Sequence, residues 1–141
     1  MLYQHAAAER AIAIAAVMHD VQASFASAEA AKTPSERIER LVRSAFEILD
    51  ANRDFWRTSY GVRMQPAVVA GLGKRLRTWM MTIQSTLARY LAEAGSRQPE
   101  VDAALLFALI DGASQHYVLD PKEYRLDQVA DGIIALFTRR L

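Results

Sequence analysis

The sequence predicts an all-α fold of about five or six packed helices. Three observations carry this. Apolar residues recur at three- and four-residue steps along the chain, and no stretch alternates in the manner of a strand. Glycine and proline number only six and four in 141 residues, too few for the many turns of a β sandwich. Capping residues, prolines and one glycine fall in the gaps between the periodic stretches.

The first stretch, about Ala6 to Lys32, is alanine-rich and has no internal breaker, so helix propensity favours one long helix. Its apolar stripe of Ile14, Val17, Met18, Val21 and Phe25 is thin, which predicts a peripheral position or a hand-over to something N-terminal to it. Thr33-Pro34-Ser35-Glu36 then reads as a helix start: a threonine cap, a proline at the first position and a Thr-x-x-Glu capping box. Ile38, Leu41, Val42, Ala45, Ile48 and Leu49 give this helix a buried face. Glu36 with Arg40 and Glu39 with Arg43 make i,i+4 pairs on the other. Glutamates among the arginines at 37, 40 and 43 favour a solvated face over a basic patch.

Asn52 or Asp54 caps a short helix from Phe55 to Met64, which Gln65-Pro66 ends. A long helix from Pro66 or Val68 to Ala94 follows, striped by Val69, Leu72, Leu76, Trp79, Met80, Ile83, Leu87 and Leu91, with Gly95 just past its end. Pro99 opens a helix whose Val101–Leu119 part is apolar on more than one side, and Asp120-Pro121 stops it. The last helix spans about Leu126 to Arg140, with Val129, Ile133, Leu136 and Phe137 inward. No repeat or linker divides the chain, so residues 1–141 read as one domain, long enough to bury roughly two-thirds of its unfolded surface.

Composition excludes several functions. There is no cysteine, hence no disulfide, thiolate metal site or cysteine nucleophile. The histidines, His5, His19 and His116, stand apart from one another and from carboxylates at ligand spacing, so no metal is expected. Gly71-Leu72-Gly73-Lys74 lacks both the spacing of a phosphate loop and a preceding strand, and no serine sits in a nucleophile elbow. Neither an enzyme nor a cofactor protein is indicated. A formal charge of +1 is not the footprint of a nucleic-acid binder. No run reaches the ~18 apolar residues of a membrane span. The short alanine run near the start, with Arg10 balanced by Glu9, makes a poor signal peptide, so the expected location is the cytoplasm.

Two groups of residues suggest function. Trp56, Tyr60 and Met64 share one side of the short helix. With Trp79, Met80 and Ile83 on the long helix, and Phe46 and Phe107 on their neighbours, they either fill the core or wall an apolar ligand pocket. Polar anchors for a ligand would be Tyr60, the two indole N–H groups, and Gln84 or His116. Separately, Leu105, Ala108, Gly112 and His116, with Val129, Ile133 and Leu136 of the last helix, exceed what one neighbour could cover. Ala104, Ala108, Gly112 and Ala113 permit close helix approach. The choice lies between a central core helix in a monomer and a homodimer through a four-helix bundle. About six helices are too few to cover one another, which favours the homodimer. Asp111, in the same helix, must be paired or at the rim.

The segment Leu109-Ile110-Asp111-Gly112, followed by Tyr117-Val118-Leu119-Asp120-Pro121 and the final amphipathic helix, resembles the C-terminal region of tetracycline-repressor-family transcription regulators. Leu2-Tyr3-Gln4-His5 resembles the Leu-Tyr-x-His-Phe that closes the recognition helix there, with Ala6 in place of Phe and the turn after it reduced to Ala-Ala-Glu. The resemblance implies a connector helix after residues 1–6, then a regulatory domain that binds a small hydrophobic or aromatic effector and dimerises, the DNA-reading head lying outside this chain. A helical homodimeric interaction module without a ligand is the alternative. On either reading the chain alone should give no salt-sensitive, sequence-specific gel shift with duplex DNA at sub-micromolar concentration; such a shift would overturn the assignment of its first residues.

Overall fold

The computed structural model describes residues 2–63 and 66–138. Met64, Arg140 and the side chains of residues 1–15, Val69, Leu72 and Leu76 lie outside what is described. The elements are α1 (Leu2–Glu29), α2 (Pro34–Ala51), α3 (Arg53–Arg63), α4 (Pro66–Glu93), α5 (Pro99–Leu119) and α6 (Leu126–Thr138), with no strand among the described residues. The all-α expectation holds. Helix α1 takes in Leu2 to Ala6 without the turn that the resemblance implied, because Ala-Ala-Glu supplies no breaker.

Asn52 closes α2 by donating from its side chain to the Ile48 carbonyl at 2.8 Å, and Asp54 lies inside the first turn of α3, so neither caps α3 as expected. The predicted caps of α2 and α4 do form, the first with one change of detail. Thr33 accepts from the Glu36 N–H at 3.2 Å, while Glu36 reaches back to the Lys32 N–H at 3.2 Å, one residue before the cap. At the end of α4, Gly95 has φ of 100°, and its N–H donates to the Ala92 carbonyl while the Ser96 N–H donates to that of Leu91. That paired arrangement needs a left-handed residue, which glycine supplies at least cost.

Helix α2 is central: it packs against α1, α4, α5 and α6. Ile38 and Val42 on α2, Tyr90 and Leu91 on α4 and Leu106 on α5 are the largest fully buried side chains. Each aliphatic among them contributes about 1.5–3 kcal/mol on burial. The arginines of α2 do more than solvate a face. Arg37 pairs with Glu93 at 2.8 Å, Arg43 with Asp131 at 2.9 Å as well as Glu39 at 3.2 Å, and Arg40 donates to the Ser27 carbonyl at 3.1 Å. The predicted Glu36–Arg40 pair is replaced because Glu36 is engaged at the cap. On α1, Val17 and Ala28 are buried and Val21 and Phe25 half-buried, but Met18 is exposed and leaves the expected stripe.

The end of α1 is fastened to α4. The Tyr90 hydroxyl donates to a Glu29 carboxylate oxygen at 2.7 Å, and Arg89 donates to the same oxygen. Burial and then this bond push the Tyr90 hydroxyl up to about 12, while the same bond, with Arg89, holds Glu29 below its ordinary value. An unfolded tyrosine ionises near 10 and the folded one keeps its proton, so fold stability should drop as pH rises from about 10 toward 12. The urea midpoint should therefore fall between about pH 8 and about pH 11, and Tyr90→Phe should flatten that fall. An unchanged slope in the variant would assign the alkaline loss to other groups.

Candidate functional site

A cavity of about 140 Å³ lies where α1 to α5 meet. Trp56 and Tyr60 from α3, Trp79 and Ile83 from α4 and Phe107 from α5 all line it. Trp56 and Tyr60 lean on each other with ring centroids 5.8 Å apart. Their i,i+4 spacing puts both on one side of α3, and α3 itself packs chiefly on α5. Of the other named residues, those that are described do not reach this wall. Phe46 is buried beside a different, polar groove, and Met80 is half-buried outside the cavity lining. Gln84 is also outside it, and His116 is exposed and stacks on Tyr124 at 5.9 Å.

Several lining residues escaped the sequence reading. Val21, Ser24 and Phe25 come from α1, which was expected to be peripheral. Ile110, Asp111 and Ser114 join Phe107 from α5; their positions at i, i+3, i+4 and i+7 are the signal that could have found them. The polar groups are few. The Ser24 hydroxyl donates to the Asp20 carbonyl at 3.0 Å and that of Ser114 to the Ile110 carbonyl at 2.7 Å. Asp111 is half-buried and accepts from Gln115 at 3.2 Å, a partnered carboxylate as its placement demands. The Trp56 indole N–H is buried and has no hydrogen-bond partner among the described residues.

A second feature is an exposed face on α5 and α6. Leu105 is 52% exposed and Leu136 55%, with Ala108 and His116 also exposed. Gly112 is half-buried, yet a Cβ added there would meet nothing within 4 Å. Val101, Leu109 and Leu119 extend the patch. Ile133 is not on it: this residue is buried in the protomer's own core, and Val129 packs half-buried against that core. Rotation of α6 explains both differences, since Ala130, Ile133, Ile134 and Phe137 point inward and Leu136, expected inward, points out.

The polar groove beside Phe46 holds about 650 Å³ between α2, the end of α5 and the start of α6. Arg43, Glu47, Asp50, Arg125 and Asp127 line it, and the Tyr117 hydroxyl donates to Asp50 across it. That bond, and then burial, raise the Tyr117 hydroxyl above its ordinary value. Among the described residues, no group of His, Asp or Glu is placed to hold a metal ion, and no helix is long and apolar enough to cross a membrane.

A family model described as the C-terminal part of BetI-type transcriptional repressors matches residues 34–139, from the first residue of α2 to just past α6. Neither a curated protein nor a solved structure matches the chain.

Proposed function

Since this chain belongs to the tetracycline-repressor family of transcriptional regulators, as a C-terminal domain of the BetI-type repressor kind, we propose that it is the effector-binding, dimerising regulatory domain of such a regulator. The observation that carries this reading is the apolar cavity shared by α1 to α5, with Trp56, Tyr60, Trp79, Ile83 and Phe107 in its wall. A space of about 140 Å³ matches the scale of an engineered cavity that holds a benzene ring. Its lining is mostly apolar with a few polar groups, the usual make-up of a small-molecule site.

The route to a signal runs through α1. Val21 and Phe25 touch the cavity, while the end of the same helix is pinned by Glu29 to Arg89 and Tyr90, and by Arg40 to the Ser27 carbonyl. A ligand that fills the cavity acts on α1 a turn or two before its fixed end. It shifts the helix only to the extent that it binds one arrangement more tightly than the other. The exposed apolar face of α5 and α6 serves as the contact between two copies.

The test is a set of small aromatic and apolar compounds against a charged set. Neutral single-ring compounds should quench tryptophan emission, because both tryptophans line the wall. They should also raise the melting temperature, by about 2.7 kcal/mol of stabilisation at a hundredfold excess over the dissociation constant. Phosphorylated compounds should do neither. If no apolar compound gives either signal, the ligand-free helical module is the better reading.

A further inference from the structure

Resting on the pocket reading above, we propose that α3 is the door of the cavity: it detaches from α5 and unwinds, and a ligand enters and leaves while it is open. Among the described residues, α3 is the one helix without a buried side chain. Phe55, Trp56, Ser59 and Tyr60 are half-buried and the others described are exposed, whereas every other helix has buried side chains. Its ties to the chain are weak as well. The Asn52 side chain turns back to the Ile48 carbonyl and leaves the start of α3 uncapped, and the Arg57–Asp54 pair, at 3.5 Å, is exposed. Exposed pairs contribute little. At 11 residues α3 is shorter than the ~12–15 that an isolated helix needs in water, so once detached it unwinds. Segments with few buried contacts are the ones that open locally.

Helix α3 supplies Trp56 and Tyr60 to the cavity, so its departure removes one wall. The Trp56 indole N–H favours that departure. It is buried with no partner among the described residues, and it lies beneath the surface, out of reach of a ligand in the cavity. A buried donor without an acceptor is costly, and water admitted by an open α3 relieves that cost. The closed helix therefore carries a bias towards opening.

Gly61→Ala tests the door. Gly61 is exposed in the last turn of α3, outside the cavity wall, and a Cβ there would meet nothing within 4 Å. Alanine favours the helix over the unwound state, so opening should become about two- to fivefold rarer. In the wild type, the hydrogen-bonded amides of α3 should exchange faster than those of α2 and α5, with the Trp56 indole proton protected to the same degree as α3. Gly61→Ala should slow both by that factor. NMR line shapes in an ethylbenzene titration should show on- and off-rates lowered together by the same factor. The dissociation constant should not change, because the open state is rare and the bound state is closed. Gly132→Ala on α6 is the control: a Cβ there also meets nothing within 4 Å, and no α6 residue is in the described wall. It should leave the ligand rates and α3 exchange as they were. Ligand rates untouched by Gly61→Ala, or α3 amides as protected as those of α5, would overturn the door and leave the pocket standing. No binding of ethylbenzene or of any other single-ring compound would remove the pocket reading and the door with it.

Discussion

Ala108→Glu is expected to turn a dimer into a monomer without unfolding it. In the protomer Ala108 is exposed, so a glutamate there meets water and should change protomer stability by no more than about 0.5 kcal/mol. In a face-to-face contact of two α5 helices the same carboxylate would be desolvated beside Leu105 and Leu109. Such a placement costs several kcal/mol, which raises the dissociation constant by roughly a thousandfold. Gly112→Arg should act alike, because the protomer leaves open space at that Cβ and a partner helix packed closely there would collide with the side chain. Met81→Glu, at an exposed apolar position on α4, is the control and should stay dimeric. Sedimentation velocity at one protein concentration reads all three. A wild-type monomer would overturn the dimer, and an Ala108→Glu dimer of undiminished affinity would place the contact elsewhere.

The helices were legible because local signals and packing agree. Thr33 and Pro34 start α2, Gly95 closes α4, and Asp120-Pro121 closes α5 where the spacing said they would. What stayed hidden depends on partners distant in sequence. Nothing near Arg43 announces Asp131, nor anything near Arg37 Glu93, so the arginines of α2 read as a solvated face until α4 and α6 are in place. The rotation of α6 was equally obscure. Ile133, Ile134, Leu136 and Phe137 are all apolar, and a stripe that wide does not say which edge faces the core.

The cavity divides along the same line. Aromatic spacing located Trp56, Tyr60, Trp79 and Phe107, since large rings at helical intervals must face some neighbour. It could not separate Phe46 and Met80, which share the spacing but meet other surroundings. Helix α1 lies at the edge, packed chiefly on α2, as its thin stripe predicted. What stayed hidden is that Val21 and Phe25 reach the cavity, because the alanines of α1 make every side similar.

Trp79→Ala is expected to weaken the fold by about 3 kcal/mol, the low end for truncating a large aromatic, because Trp79 is half-buried. For a chain of 141 residues this is a fall of roughly 10 °C in melting temperature at fixed protein concentration. Loss of stability alone would fit a plain core residue. Ligand size distinguishes the two roles. If Trp79 walls a binding cavity, its removal joins the indole's volume to the existing 140 Å³, and the enlarged space should hold a bicyclic ring. Naphthalene should then raise the melting temperature of Trp79→Ala and leave the wild type unmoved, while ethylbenzene should do the reverse. The exchange of preference follows from dispersion: a small ligand in an oversized cavity lacks atoms to touch on one side. If Trp79→Ala is destabilised but neither protein responds to either compound, the surroundings have collapsed around a core position, and Trp79 is not part of a ligand site.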